Sequence, residues 1–426
     1  FDIEKGPETY VDMIHIRGNE KTEDAVIRRE LRQYEGARYS AKRVRASERR
    51  IKRLPMVSDV RIGLKRKSSN LADLNIDLTE GKSGSLAFGI GYSQLEKTFV
   101  QGRISEQNLL GKGLQVSFNG QIGTRTQNFT ASLTDPYFLD APVAATFSLR
   151  KQDSRFNQLV TVNYATKSFG AGVNFDFELT EFWRLALGYN YDRTELLNIP
   201  ANASLLLRAQ AGRQSTGEAM LSIARDSRDK VLAPTEGSLV SLSASFAGLG
   251  GSNRFVESRL DARAYWPLDV EHRWIVSPSL GLAAIGGARV PLYRRYSLGG
   301  LGTIRGFDYY GVSLRDPATQ EGLGGDRMWT ASLDLYFPLP GVQTAGFRGV
   351  LFADAGQTWG RIDTTFQGQR LRVAEPFGFG RMRASVGFAV EWLSPIGPIG
   401  LYWGFPVRKQ PGDLVRRFEF ALGGMF

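Results

Sequence analysis

Gly299-Gly300-Leu301-Gly302-Thr303-Ile304-Arg305-Gly306-Phe307 sets one arginine in a glycine-rich loop between two segments that alternate apolar and polar residues. Further on, Asp334 and Asp354 stand in strand-like runs. Alternation groups Asp334 with Thr330, Ser332 and Tyr336, opposite Trp329, Ala331, Leu333 and Leu335; Asp354 likewise opposes Leu351, Ala353 and Ala355. Successive strand side chains point to opposite faces, so both carboxylates share the polar face of their strands. A guanidinium meets carboxylates with a fixed fork of donors that lysine cannot reproduce. The pattern predicts a loop folded into a barrel and held there by Arg305 on Asp334 and Asp354.

Outward from this loop the chain is strand after strand. Leu86, Phe88, Ile90 and Tyr92 alternate with Ser85, Ala87, Gly89 and Gly91; Leu114, Val116, Phe118 and Ile122 alternate with Gln115, Ser117, Asn119 and Gln121. A soluble sandwich shows the same period. Here, however, one strand places Glu257, Arg259, Asp261 and Arg263 on a single face, which suits a water-filled lumen better than a packed core. Hydrophobic residues make up 42% of the chain, yet no run reaches the roughly 18 apolar residues of a spanning helix. Alternation spreads that hydrophobicity out, as in a transmembrane barrel.

About 16 such segments occur, an even number as bacterial outer-membrane barrels require. They start near residues 85, 99, 114, 127, 143, 166, 182, 215, 237, 254, 272, 327, 346, 382, 398 and 416. Connections after odd strands are long (193–214, 288–326, 357–381) and those after even strands are mostly short, the barrel signature of extracellular loops and periplasmic turns. Trp183, Tyr191, Trp266, Trp274, Trp392 and Trp403 are expected near strand ends as aromatic girdles. The expectation is a mainly β protein: a 16-stranded antiparallel transmembrane β-barrel over residues 83–426, with a long extracellular loop near 287–326.

Residues 1–82 read differently. Tyr10, Ile14 and Ile16 are expected on one face of a first strand. Thr22 is expected to cap a helix bearing Ile27 and Leu31, and a second helix carries Val44, Ser47, Ile51 and Leu54 on one side. Strands at 56–65 and 71–80 complete a small α+β domain of order β-α-α-β-β, with 65–70 as a basic solvated turn. The opening Phe1-Asp2-Ile3-Glu4 reads as the continuation of something earlier.

Composition narrows function. Net charge is +11, which favours anionic lipid headgroups or acidic partners; the absence of any aromatic-plus-basic RNA motif or recognition helix argues against nucleic acid. Cysteine is absent, which excludes disulfides and thiolate metal sites. His15 and His272 are the only histidines, one in a strand-like run and one in a turn. A histidine metal site, a Ser-His-Asp triad and an enzyme are therefore not expected, nor is a cofactor.

A barrel in lipid must close, because unpaired backbone groups there cost several kcal/mol each. The first strand, with Phe88, Gly89, Ile90 and Gly91, must therefore pair with the last, with Phe420, Gly423, Gly424 and the terminal Phe426. Glycine weakens strands. This seam is expected to be the weakest in the barrel, able to open sideways and template an incoming strand by β-augmentation.

At these residues the chain resembles the BamA-type β-barrel assembly factors of the POTRA-plus-barrel superfamily. Gly18-Asn19-Glu20-Lys21-Thr22 and Arg28-Arg29-Glu30-Leu31 are similar to the barrel-proximal POTRA (polypeptide-transport-associated) domain. Asp135-Pro136-Tyr137-Phe138 looks like an early barrel turn, and Phe88-Gly89-Ile90-Gly91-Tyr92 like the first barrel strand. Ile304-Arg305-Gly306-Phe307 matches the loop-six motif, and Ser332-Leu333-Asp334 and Phe352-Ala353-Asp354 match the strands that receive its arginine. The resemblance implies insertion of unfolded outer-membrane proteins without ATP, in the bacterial outer membrane with the POTRA domain in the periplasm. It implies unfolded clients, accessory lipoproteins, periplasmic chaperones, outer-membrane lipid and lipopolysaccharide as partners, and Arg28 and Glu35 as a lipoprotein-docking surface on a helix. The alternatives are a POTRA-barrel protein translocator, a TamA-like assembly factor, and a porin-like channel.

Overall fold

The computed structural model describes residues 8–93, 96–155, 164–340, 346–394 and 397–422. The chain divides into two compact units, 1–87 with 103–118 and 131–140, and 88–102 with 119–130 and 141–426.

In the first unit β1 (Tyr10–Arg17), α1 (Asp24–Arg28), α2 (Ala41–Ile51), β2 (Val57–Arg66) and β3 (Leu71–Glu80) follow in order. The sheet order is β1-β3-β2, with β1 parallel and β2 antiparallel to the central β3. Val44, Ser47 and Ile51 form the buried side of α2, and Leu54 packs against the same core. Ser40 caps α2 by accepting the Arg43 N–H.

Two expectations are corrected here. Tyr10 is exposed, while Val11 and Ile14, three apart, are buried, because the register slips between them and turns the face of β1. Thr22 does not cap α1; Glu23 occupies that position without a side-chain cap. The Glu23 N–H donates instead to Gly111 O at 2.8 Å, and Thr22 Oγ1 accepts from Asn108 at 2.9 Å. A turn distant in sequence has taken over the work of the cap.

The remaining strands are β4 (Gly84–Ser93), β5 (Lys97–Leu109), β6 (Leu114–Gly123), β7 (Thr126–Asp135), β8 (Val143–Arg155), β9 (Ala165–Glu178) and β10 (Trp183–Leu197). They continue through β11 (Gly212–Asp226), β12 (Gly237–Gly251), β13 (Arg254–Pro267), β14 (Ile275–Arg289), β15 (Arg327–Pro338), β16 (Phe347–Phe366) and β17 (Gln369–Glu375). The last three are β18 (Arg383–Ser394), β19 (Gly397–Arg408) and β20 (Phe418–Leu422). They form a closed antiparallel barrel of 16 strands in which chain neighbours pair and β20 returns to β4. β17 is the additional member. Only the far end of β16, Gly360–Phe366, pairs with it, while Phe347–Gly356 pairs with β18. The long connection expected over 357–381 is thus largely an extension of the sheet.

Outward positions are apolar and exposed, as in Phe88 and Ile90 of β4. One cross-strand row runs Leu335, Leu351, Phe388, Trp403 and Phe418. Phe388 stacks on Trp403 at 5.0 Å between centroids. Trp403 lies mid-strand in β19 and Tyr191 mid-strand in β10, not at the ends expected for them; Trp183, Trp266, Trp274 and Trp392 do sit at or beside strand ends.

Candidate functional site

The connection between β14 and β15 is a folded body, not an open loop. Leu298 and Val312 exchange backbone hydrogen bonds at 2.8 and 3.0 Å. Leu298, Ile304, Phe307 and Val312 are fully buried and cluster with Phe255, Ala283, Ile285 and Met328 from the inner faces of β13, β14 and β15. The glycines that looked like flexibility have definite duties. Gly306 holds φ at 89°, and its Cα lies so near β19 that an added Cβ would stand 2.9 Å from the Gly404 carbonyl carbon. Gly404 is bound equally, since a Cβ there would meet Gly306 N at 2.5 Å.

This backbone approach delivers Arg305 to the wall. Its Nε donates to Asp354 Oδ2 at 2.8 Å and its Nη2 to Asp354 Oδ1 at 2.7 Å, a two-pronged pair. The Arg305 backbone N–H adds a third bond to Asp354 Oδ2 at 2.9 Å, and Nη2 also reaches Asp334 Oδ1 at 2.6 Å. The guanidinium lies 3.7 Å over the Phe352 ring. Both aspartate side chains are 1% exposed. Two buried carboxylates facing one guanidinium would leave an excess negative charge, which is costly in a desolvated site. Arg263 of β13 supplies the second cation, with Nη2 3.2 Å from Asp334 Oδ2. The result is a chain of two arginines and two aspartates joining β13, β15, β16 and the loop.

A second set of bonds joins the loop to the lead-in of the last strand. The Asp308 N–H donates to Leu414 O at 2.9 Å and the Arg416 N–H to Gly306 O at 3.0 Å, while Phe307 bridges Val415. Glu419, buried on β20, accepts the Leu301 N–H at 3.0 Å. On the other side of the loop Arg294 Nη2 lies 2.9 Å from both Glu218 and Glu257. Glu419 and Gly404 are not among the residues the sequence singles out, and the sequence shows Arg263 only as one of four charges on a face. Glu419 left one signal: a carboxylate between Phe418 and Phe420 on the alternating pattern has to face inward.

At the seam, the described residues show two antiparallel pairs, Ala421 with Ser93 and Leu422 with Tyr92. Tyr92 and Phe420 place their rings 5.6 Å apart. Gly423, Gly424 and Phe426 lie outside the described residues. Packing is not lost at Gly91, because the Phe99 ring occupies the space a Cβ would need, at 2.2 Å.

Arg28 and Glu35 are brought together in the first unit, but Glu35 lies beyond the end of α1 and not on a helix. Arg28 Nη2 donates to Ile14 O at 3.0 Å, Glu35 accepts the Ile14 N–H at 2.9 Å, and the two side chains stand 3.4 Å apart. They satisfy backbone groups of Ile14 on β1, an edge strand of its sheet. The hydrogen bonds that Arg28 donates to the carboxylates of Asp24 and Glu35 hold its guanidinium above its ordinary range, against the opposing effect of burial.

A closed antiparallel barrel with an arginine-latched inner loop, behind a β-α-α-β-β unit, is the architecture of a POTRA-preceded membrane barrel. Family models agree: an Omp85 superfamily domain matches residues 108–426, and the POTRA model, described as a surface antigen variable number repeat, matches residues 9–81. The chain belongs to the Omp85 superfamily. It is 29% identical to the outer membrane protein assembly factor BamA of Neisseria meningitidis serogroup B, over 100% of this chain and 57% of that protein. Against BamA of Nitratidesulfovibrio vulgaris it is 28% identical, over 100% of this chain and 52% of the relative. It therefore spans about half the length of these curated relatives. The crystal structure of BamA from Haemophilus ducreyi lacking POTRA domains 1–3 superposes with a TM-score of 0.85 at 26% identity, covering 98% of this chain and 85% of that one. CdiB from Escherichia coli, at TM-score 0.59 and 15% identity over 97% of this chain and 76% of its own, shares the fold alone.

Proposed function

We propose that this protein inserts and assembles β-barrel proteins in the bacterial outer membrane, with its POTRA domain in the periplasm. The observation that carries this reading is likeness to proteins named outer membrane protein assembly factor along both the POTRA unit and the barrel. In this reading the Arg305–Asp334–Asp354 cluster keeps the loop seated and the wall in shape, and the β4–β20 seam is the working edge. An opened seam offers backbone N–H and C=O groups to a client strand, and backbone pairing accepts clients of varied sequence. Unfolded outer-membrane proteins are the clients; accessory lipoproteins, periplasmic chaperones, outer-membrane lipid and lipopolysaccharide are the partners. Because Arg28 and Glu35 already bond to each other and to Ile14, a lipoprotein docking there meets their remaining exposed faces.

The test is a reconstitution in liposomes with an unfolded barrel client. Tyr92→Cys with Leu422→Cys crosslinks an observed register pair, and no native cysteine competes. The oxidised protein is expected to lose client insertion and a reductant to restore it. Full insertion by the locked protein would remove the seam from the mechanism.

A further inference from the structure

Helix α2 carries a feature that neither the barrel latch nor the seam uses. From Lys42 to Arg53 the sequence holds seven cations (Lys42, Arg43, Arg45, Arg49, Arg50, Lys52, Arg53) against one acid, Glu48. Val44, Ser47 and Ile51 turn to the core. Lys42, Arg45 and Arg49 recur at helical spacing on the opposite side, and Lys52 and Arg53 prolong the row. All five are exposed. Lys52 approaches Asp59 at 4.0 Å; among the described residues Lys42, Arg45, Arg49 and Arg53 have no acidic partner. The row is about 16 Å long at 1.5 Å per residue.

The exception on this helix shows where the row stands. Arg50 turns aside to Glu30 at 2.9 Å and donates to the Tyr137 hydroxyl at 2.9 Å, while Arg29 lies 4.4 Å from the centre of the Tyr137 ring. Tyr137 comes two residues after Asp135, the last residue of β7. Two residues further on, Leu139 is 83% exposed in left-handed backbone with φ at 55°. All these residues belong to the first unit. Within this unit α2 is thus tied to the turn that follows β7, and that turn carries an exposed leucine.

We propose that the face formed by Lys42, Arg45, Arg49 and Arg53 binds the phosphates of an anionic bilayer surface. Spaced single cations along a row suit a plane of mobile phosphates, and arginine offers each phosphate a matching fork. Each cation brought to an anionic membrane surface strengthens association about fivefold, so four together exceed a hundredfold. The inference rests on the barrel being embedded in a membrane, not on its assembly activity.

Ala41→Cys puts a unique thiol at the exposed start of α2 in a chain without native cysteine. A donor dye there, with an acceptor on lipid headgroups, reads the distance of α2 from the bilayer in the reconstituted full chain. Energy transfer should be higher in bilayers containing phosphatidylglycerol than in phosphatidylcholine alone, and should fall on adding about 0.5 M salt. Lys42→Gln with Arg45→Gln, Arg49→Gln and Arg53→Gln should remove the difference. Equal transfer in the two bilayers, or a difference that survives the fourfold substitution, overturns the proposal. So does approach that appears only when an acidic envelope protein is added. A gel shift on heating shows independently that the barrel is folded, and client insertion is scored separately.

Discussion

Arg305 and its two aspartates do unequal work. Asp354 accepts three hydrogen bonds from Arg305, two from the guanidinium and one from the backbone, while Asp334 accepts one and shares its charge with Arg263. Removing one partner from a buried ion pair costs about 3–5 kcal/mol, because the other charge is left unpaired. Arg305→Ala should therefore expose the loop to protease and lower the unfolding temperature, and Asp354→Asn should be more damaging than Asp334→Asn. Equal protease sensitivity of the two aspartate variants would show that the asymmetry of bonds carries no energetic weight. Arg305→Lys should fall close to Arg305→Ala, since an ammonium cannot hold both Asp354 oxygens in one plane. At Glu419, Gln keeps an oxygen for the Leu301 N–H whereas Ala does not. Glu419→Ala should speed exchange of the Leu301 amide and Glu419→Gln should largely preserve its protection.

At the scale of elements, the Gly306–Gly404 approach sets how tightly the loop can sit on β19. Gly404→Ala forces backbone apart and should cost about 1–3 kcal/mol, with cleavage of the loop under limited proteolysis. Gly302 makes a useful control: its φ is 93°, yet nothing lies within 4 Å of the added Cβ. Gly302→Ala should cost only about 1 kcal/mol of backbone strain and leave the loop protected. In the first unit, Glu80 at the end of β3 accepts the Thr22 N–H at 2.8 Å and the Lys21 N–H at 3.0 Å. Burial favours its neutral form, but hydrogen bonds from Thr22 and Lys21 outweigh that and hold the carboxyl below its ordinary range. The stabilisation it gives is complete above the unfolded-state value of about 4.3 and is lost as pH falls through the lower folded value. Protection factors of the Lys21 and Thr22 amides should decline below about pH 4, and Glu80→Gln should abolish that dependence. Flat protection down to pH 3 would sink the assignment.

These elements also show what a sequence discloses. The starts expected at 114, 143, 237, 254 and 327 coincide with observed strands, because alternation is written in consecutive residues. The slip in β1 leaves no mark in the sequence, since a register irregularity moves a side chain to the other face without altering residue type. Gly404 and the capping of α1 by Gly111 were equally hidden. Each depends on a segment far along the chain, and local periodicity holds no record of it.

For the molecule as a whole, the seated loop bears directly on conduction. Sixteen strands enclose an interior into which Leu298, Ile304, Phe307 and Val312 pack as an apolar core. The interior also holds a cavity of about 620 Å³, lined by Arg150, Asp192, Asn190, Glu218, Tyr293 and Arg294 among others. Single-channel recordings should accordingly show small conductance, and deletion of residues 292–323 should raise it several-fold. High conductance in the intact chain would favour the porin-like reading over an assembly factor.

Backbone bonds join Gly306 and Asp308 to residues 416 and 414. Residues 414 and 416 lie more than a hundred positions beyond Arg305 in the chain. The seat of the loop is therefore complete only when a segment remote in sequence has docked on it, and the arginine's grip on the wall is by itself half of the closure.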